Sequence, residues 1–197
     1  MTGRRVELVF ATNNEHKLKE VQHVLGKGIK LMSLSDVGFS AEIPEDYDTL
    51  EDNALQKARF VYSKTGKNCF ADDTGLEVEA LNWEPGVYSA RYAGETRNPK
   101  DNIKKLLANL KGVSNRRARF RTVIALILNG EEYLFEGVVW GKIIDNEIGA
   151  DGFGYDPIFI PEGYNETFAQ MPLSIKNKIS HRGRAVEKLQ EFIQNHF

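Results

Sequence analysis

Two adjacent carboxylates, Asp72 and Asp73, stand at the end of an apolar run and are followed by a hydroxyl and a glycine, Thr74 and Gly75. Like charges this close repel each other unless a cation lies between them, and carboxylate oxygens are ligands that suit Mg²⁺. The pair is therefore a candidate site at the mouth of a strand. Asp and Gly are also ordinary turn residues, so an acidic turn explains the same segment. Taken alone, the segment favours neither interpretation.

A polar loop near the N-terminus is the second candidate. Residues 6–11 read Val-Glu-Leu-Val-Phe-Ala and predict a buried strand, and an amphipathic helix follows with Glu20 outside its apolar face. A strand, a polar loop and a helix start can present free backbone N–H groups to an anion, and Lys17 adds a positive charge there. The alternative is a helix that Thr12 or an asparagine simply caps. The spacing of a Walker A loop is absent.

A basic cluster precedes the last predicted helix. Lys176, Lys178, His181 and Arg182 crowd a helix start at which Ser180 is a good N-cap. The helix dipole disfavours cations at this end. The cluster therefore suggests a bound anion or a nucleotide base with acceptor atoms. A solvated basic turn is the alternative, and it explains less.

A glycine-rich segment supplies aromatic rings. Residues 152–157 read Gly-Phe-Gly-Tyr-Asp-Pro, and the two glycines let the backbone approach something flat on which Phe153 or Tyr155 can stack. Glycine-rich hairpin packing is the alternative. The spacing does not match the dinucleotide-binding pattern Gly-x-Gly-x-x-Gly.

The elements that must position these residues alternate along the chain. A short strand is predicted over residues 29–34, and helices start near Thr49 and at Asn98. A strand over residues 122–128 turns at Asn129-Gly130 and returns as a second strand over residues 133–144. Lone glycines in the second strand, Gly137 and Gly141, indicate bulges or close backbone approach.

Composition limits the class of protein. The 197 residues can bury a full core and predict one domain over residues 1–197. The net charge of -2 argues against a protein that coats nucleic acid. Cys69 is the only cysteine, so neither an internal disulfide nor a cysteine zinc cage can form. No signal core and no apolar run of membrane-spanning length are seen. We expect a cytoplasmic enzyme or binding protein.

Six motifs in order along the chain resemble the inosine/xanthosine triphosphate pyrophosphatase family. They are Thr12-Asn-Asn14-x-x-Lys17, Glu45 followed by Asn53-Ala54-x-x-Lys57-Ala58, Ala71-Asp-Asp-Thr-Gly-Leu76, Pro85-Gly-Val-Tyr-Ser-Ala-Arg-Tyr-Ala-Gly94, Gly152-Phe-Gly-Tyr-Asp-Pro157 and Ile179-Ser-His-Arg182. Each motif alone is weak. Six in register, over nearly the whole chain, are highly specific.

The resemblance implies a fold and an activity. The fold is mixed α/β, with a long twisted sheet flanked by helices in two lobes around a central cleft. Members of the family are usually homodimers, need Mg²⁺, and cleave ITP, dITP and XTP to the monophosphate and pyrophosphate. The expected partner is thus a purine nucleoside triphosphate, and neither nucleic acid nor a membrane is expected.

The resemblance also implies roles for individual residues. The catalytic carboxylate is Asp73, and the metal-binding acids are Glu45, Asp73 and Asp72, although a direct and an outer-shell role for Asp72 both stay open. Pro44 takes the first place of an acidic pair that is common in the family, which leaves Glu45 as the metal ligand. Substrate binding is assigned to two sets of residues. Thr12, Asn13, Asn14, Glu15, His16, Lys17 and Thr74 lie by the phosphates, and Phe153, Gly154, Tyr155, Asp156, Lys176, His181 and Arg182 recognise the base.

The expected chemistry follows from these roles. Asp73 activates a water, and Mg²⁺ with Lys17 stabilises the leaving pyrophosphate. Arg182 and backbone N–H groups near Gly154 donate to the 6-carbonyl of hypoxanthine or xanthine, which adenine lacks. One rival is a Mg²⁺-dependent phosphomonoesterase, whose Asp-x-Asp pattern the adjacent acids do not match. The other is a nucleotide-binding module without catalysis.

Overall fold

The computed structural model describes residues 5–196, and within them the chain forms seven β-strands and five α-helices. The strands are β1 Val6–Phe10, β2 Ile29–Met32, β3 Cys69–Val78, β4 Pro85–Gly86, β5 Arg117–Leu128, β6 Glu131–Ile143 and β7 Phe159–Pro161, and the helices are α1 Glu15–Val24, α2 Leu50–Thr65, α3 Pro99–Asn109, α4 Leu173–Ile179 and α5 His181–His196. None of the described helices is long and apolar enough to cross a membrane.

All seven strands join one mixed sheet. Its order is β2-β1-β3-β5-β6-β7, and β4 pairs with β3 beyond the end of β1. The pairs β1–β2 and β1–β3 are parallel, whereas β3–β5, β5–β6, β6–β7 and β3–β4 are antiparallel. The prediction of a mixed α/β fold with a sheet flanked by helices is therefore confirmed.

Three apolar clusters pack on this sheet. The first contains Phe70 and residues of α1 and α5 on one face, and the second contains Ala71 and residues of α2 on the other face. The third contains Leu76, Phe120 and residues of α3 at the far end of the long strands. Since Phe70 and Leu76 point to the same face of β3, the residues between them separate two apolar cores.

The acidic pair lies inside a strand. We expected Asp72 and Asp73 at the mouth of a strand, with an acidic turn as the alternative, and neither describes their position. Strand β3 continues to Val78, with Asp72 opposite Ile124 of β5 and Asp73 opposite Val123. Because successive side chains of a strand point to opposite faces, the two carboxylates lie on opposite sides of the sheet.

The neighbouring strands leave one edge of β3 open at this point. Strand β1 pairs with β3 only as far as Phe70, and β4 pairs from Leu76 onward. The loop over residues 12–14 leaves β1 beside this gap and starts α1. The gap in strand pairing thus brings the polar loop to the acidic pair.

Side-chain caps place the helix starts. Asn14 caps α1, Thr49 caps α2 and Asn98 caps α3, as their side chains accept from backbone N–H groups of the first turn. Ser180 caps α5 by accepting from Gly183 N at 3.0 Å. The short helix α4 just before it was not predicted, since no cap and no apolar repeat marks it.

Helix α5 lies directly on β6. A Cβ added to Gly137 would come within 1.9 Å of His181 O. At Gly141 it would come within 2.3 Å of Ile160 O. The prediction of close backbone approach at these glycines is confirmed, and Gly137 lets the first turn of α5 reach the sheet.

Candidate active site

Asp72 lies in a closed cage of donors on the α1–α5 face of the sheet. Lys17 Nζ is 2.9 Å from Asp72 Oδ1, and Arg182 Nε is 3.0 Å from Oδ2. Thr74 Oγ1 also donates to Oδ2 at 3.3 Å. Burial alone would raise the pKa of Asp72, but Lys17 and Arg182 outweigh it and hold that pKa well below its usual range. Both oxygens of Asp72 are therefore satisfied within the protein.

The cage extends through Glu20, a buried acid of α1. Glu20 accepts from Lys176 Nζ and from Arg182 Nη1, and its side chain is 5% exposed. Lys176 Nζ also binds Asp156 Oδ2 at 2.7 Å. Lys176 and Arg182 of the basic cluster are therefore neutralised by the chain's own carboxylates, so their charges do not require a bound anion.

Arg182 connects the acidic pair with this network. Besides Asp72 and Glu20, it donates from Nη2 to Thr74 Oγ1 at 3.0 Å, and its side chain is 1% exposed. Thr74 in turn shares a hydrogen bond of 2.8 Å with Thr122. These bonds fix the guanidinium between β3 and α1.

Asp73 lies on the opposite face, against α2. Lys57 Nζ is 3.5 Å from Asp73 Oδ1 and 2.7 Å from Glu45 Oε1. Asp73 Oδ2 is buried and has no hydrogen-bond partner among the described residues. One ammonium group thus serves two carboxylates, and one oxygen of Asp73 is left free.

The pKa values of Asp73 and Lys57 shift upward. Burial raises the pKa of Asp73; Lys57 and Lys17 lower it, Glu45 and Asp72 raise it, and the net result lies above its ordinary value. Burial would lower the pKa of Lys57, but Asp73 and Glu45 outweigh it and raise that pKa. The ammonium stays charged, and the carboxylate becomes a stronger base than a solvated aspartate.

In the predicted phosphate loop, side-chain oxygens accept hydrogen bonds from backbone N–H groups of the same segment. Asn14 Oδ1 accepts from the N–H groups of residues 16 and 17, and Thr12 Oγ1 accepts from Asn14 N at 3.1 Å. Asn13 and Glu15 are exposed. The helix-cap interpretation is therefore correct for this loop, and it leaves open the proposal that a ligand binds beside Lys17.

The predicted base-recognition residues separate into cleft and core. The Phe153 ring is partly exposed and lies near Lys176 Nζ and Arg182 Cζ, 5.2 and 5.6 Å from its centroid. Tyr155 is buried in the third apolar cluster, and its hydroxyl donates to Ser89 O at 2.7 Å. A stacking surface for a ligand is therefore available on Phe153 and not on Tyr155.

Asp156 and Gly154 shape this loop. Asp156 Oδ2 accepts from Phe153 N at 3.0 Å, and a Cβ on Gly152 would come within 2.2 Å of the same oxygen. Gly154 has a φ of +60° with open space around it. Asp156 therefore orients the loop and Lys176, while the backbone at Gly154 faces free space.

His181 stacks on Phe120, with ring centroids 4.7 Å apart and an interplanar angle of 14°. Burial, with Arg182 and Lys176 nearby, lowers the pKa of His181 well below its usual value. Its Nδ1 is buried and unpartnered among the described residues. The imidazole is thus neutral, and it packs in the core beside the network.

Sequence reasoning missed two residues of this site. Glu20 was placed on the polar face of its helix, yet it is 3% exposed. Its spacing of three residues from Lys17 puts both on one side of α1, and this is the signal that could have found it. Lys57 belonged to a recognised motif but was given no role.

A family model described as the Ham1 family matches residues 8–192. The chain belongs to the Ham1 family. It is 55% identical over 190 residues to the dITP/XTP pyrophosphatase of Flavobacterium psychrophilum, covering 96% of this chain and 100% of the relative. Identity to the dITP/XTP pyrophosphatase of Porphyromonas gingivalis is 52% over 188 residues, covering 95% of this chain and 97% of the relative.

A solved structure gives the same picture of the fold. The Ham1 protein of Staphylococcus aureus is 39% identical and superposes with a TM-score of 0.87, covering 97% of this chain and 100% of that chain. The predicted membership of this family and the predicted fold are confirmed together by the matched chain length and the superposition.

Proposed function

We propose that this protein hydrolyses ITP, dITP and XTP to the nucleoside monophosphate and pyrophosphate. Two relatives that are 52% and 55% identical to this chain over nearly their whole length carry the name dITP/XTP pyrophosphatase. The arrangement of the acidic pair supports the same reaction. The cytoplasmic location remains a prediction from composition, and the homodimer remains a prediction from the resemblance.

The observation that carries the proposal is the free oxygen of Asp73. Its neighbour Asp72 is fully occupied by Lys17 and Arg182, whereas Asp73 Oδ2 is buried and finds no partner within residues 5–196. A buried acceptor without a partner is unfavourable and marks a place where a ligand or water is expected. We assign Asp73 to accept the proton of the attacking water, a role for which a raised pKa is suited.

Mg²⁺ fits the residues of the Asp73 face. Among the described residues no group of three or more acids, histidines or cysteines is arranged to hold a metal ion by itself. Mg²⁺ usually takes one or two carboxylates and completes its shell with phosphate oxygens and water. Glu45 and Asp73 are the carboxylates that would hold it. When bound, it would neutralise charge on the phosphates.

Lys57 and Lys17 have distinct roles in this proposal. Lys57 holds Glu45 and Asp73 together by contacting both, so it positions the two acids. Lys17 reaches Asp72 from the first turn of α1, where the helix dipole favours an anion. The leaving pyrophosphate would be stabilised at this end of α1.

Base selectivity is assigned to the cleft on the α1–α5 face. Phe153 offers a stacking surface, and Lys176 beside it is a donor that a 6-carbonyl can accept from. Adenine would leave such a donor unpaired, and discrimination through hydrogen bonds reaches about 10⁴-fold or more. Arg182 already donates to Glu20, Asp72 and Thr74, and it would contribute by holding these side chains in place beside the cleft.

The test is an assay of four nucleotides with product identification. The protein is incubated with dITP, XTP, dATP and dGTP, with and without Mg²⁺, and the phosphorus product is identified. We expect pyrophosphate and monophosphate from dITP and XTP, only with Mg²⁺, and little product from dATP. Orthophosphate as the first product would favour a phosphomonoesterase. Binding without turnover would favour a nucleotide-binding module.

A further inference from the structure

His16 and Phe153 form a contact between the two sides of the proposed substrate cleft. His16 lies in the first turn of α1, and its imidazole stacks on the Phe153 ring with centroids 5.1 Å apart and an interplanar angle of 20°. The side chain of His16 therefore points toward the proposed base site. This position differs from the role that the resemblance implies, which places His16 by the phosphates.

The spacing of the stack leaves no room for a third ring. Carbon atoms in contact are about 3.5–4.0 Å apart, so two rings that enclose a base must have centroids roughly 7 Å apart or more. The 5.1 Å between His16 and Phe153 is well below this distance. A base can use this face of Phe153 only if the imidazole leaves it.

Of the groups near the Phe153 ring, His16 is the one that is free to move. Lys176 is fixed by Glu20 and Asp156, and Arg182 is equally fixed by buried acids. The imidazole of His16 is exposed, and it has no hydrogen-bond partner among residues 5–196. Moving it breaks only the stack.

The stack borders a cavity of suitable size. His16, Phe153, Lys176 and Met171 are among the residues that line a space of about 310 Å³. Small-molecule sites begin at about 300 Å³ and are largely apolar with a few polar groups. The cavity therefore fits a purine ring that extends toward Lys176.

We infer that His16 covers, in the free protein, the face of Phe153 that the purine base occupies when nucleotide binds. This inference rests on the proposed function. Base binding then requires displacement of the imidazole, which weakens the binding of every base by the strength of the stack. Since the stack does not involve position 6 of the purine, His16 sets affinity and leaves selectivity between bases unchanged.

The experiment compares a ligand with a base and a ligand without one. Calorimetric titrations use inosine monophosphate and inorganic pyrophosphate with the wild type, His16→Ala and His23→Ala. His23 is an exposed histidine of the same helix and serves as the matched control. An aromatic stack is worth about 0.5–1.5 kcal/mol. His16→Ala should therefore bind inosine monophosphate about 2- to 10-fold more tightly, with pyrophosphate binding unchanged.

A proton NMR titration provides an independent readout. The His16 ring protons, assigned by comparison with His16→Ala, should move downfield as inosine monophosphate displaces the ring from Phe153. The ratio of kcat/KM for dITP and dATP should be the same in His16→Ala and in the wild type.

The possible failures are distinguishable. If the wild type binds inosine monophosphate but His16→Ala binds it equally or more weakly, the inference is overturned. Weaker pyrophosphate binding by His16→Ala would place the imidazole at the phosphates and overturn it too. If the wild type neither binds inosine monophosphate nor hydrolyses dITP, the proposed function itself fails, and the inference fails with it.

Discussion

Asp72 and Asp73 are identical side chains one residue apart, yet the two faces of β3 surround them differently. On the α1–α5 face, Asp72 meets two cations and a hydroxyl, and its pKa falls far below the ordinary value. On the α2 face, Asp73 shares one ammonium with Glu45, and its pKa rises. The comparison indicates that one acid holds the structure together while the other is available for chemistry.

The largest expected effect separates the two acids by activity. Asp73→Asn should reduce pyrophosphate release from dITP by about 10²- to 10⁴-fold, because general-base catalysis contributes a factor of this size. Its free energy of unfolding should stay equal to that of the wild type or rise slightly, since the carboxylate is unfavourable in the folded protein. Activity is measured by product release, and stability by urea unfolding. Full activity in Asp73→Asn would remove the role assigned to Asp73.

The second prediction separates the acids by stability. Asp72→Asn leaves Lys17 and Arg182 without their buried carboxylate, and breaking a buried pair in this way costs about 3–5 kcal/mol. Urea unfolding should therefore show a much lower free energy of unfolding for Asp72→Asn than for Asp73→Asn. If Asp73→Asn were the less stable of the two variants, the structural role would belong to Asp73 and not to Asp72.

The third prediction concerns pH, where the two acids act with opposite sign. The stability that Asp72 contributes is complete above its unfolded pKa of about 3.9, and it is lost as the pH falls from there through its lower folded pKa. The difference in free energy of unfolding between the wild type and Asp72→Asn should therefore become smaller below about pH 4. Urea unfolding at a series of pH values from neutral to acid measures this difference.

Asp73 should show the opposite trend in the same experiment. Its folded pKa lies above the unfolded value of about 3.9, so the folded wild type loses stability as the pH rises from there through the folded pKa. The free energy of unfolding of Asp73→Asn should accordingly rise relative to that of the wild type over that pH range. A parallel pH trend for Asp72→Asn and Asp73→Asn would contradict the assignment of opposite environments.

The smallest expected effect comes from an exposed ion pair, which serves as a reference for the buried pairs of Asp72. Arg59 and Glu132 form an exposed pair with two contacts of 2.7 Å. Exposed pairs contribute about 0.2–1 kcal/mol, so Glu132→Gln should lower the free energy of unfolding by no more than this. A loss as large as that of Asp72→Asn would mean that burial does not explain the strength of the Asp72 cage.

Much of the fold could be predicted from local patterns. The cap residues Asn14, Thr49 and Asn98 start helices where expected, and Asn129-Gly130 forms the hairpin turn. These features depend on residues close in sequence. The strand through the acidic pair was missed because ten partners on β5 override the turn preference of Asp and Gly.

The site could be located from sequence but not divided into its two faces. The motifs assigned Asp72, Asp73 and Arg182 to one site, and the structure brings Asp72 and Arg182 into contact. The pairing of each cation with an acid depends on contacts between residues far apart in the chain, such as Glu20 with Arg182. Local spacing carries little of this information, so the burial of Glu20 and the core position of Tyr155 were not foreseen.

The pleat of β3 has a consequence for the variation that such a gene tolerates. Its register with β5 runs without interruption from Cys69 opposite Ile127 to Val78 opposite Ala118. A shift by one residue turns every later side chain to the opposite face. Loss of one codon between Phe70 and Asp72 would thus present Asp73 to Arg182. A substitution along this strand changes one side chain, but a single-residue deletion would move both acids to the opposite face of the sheet.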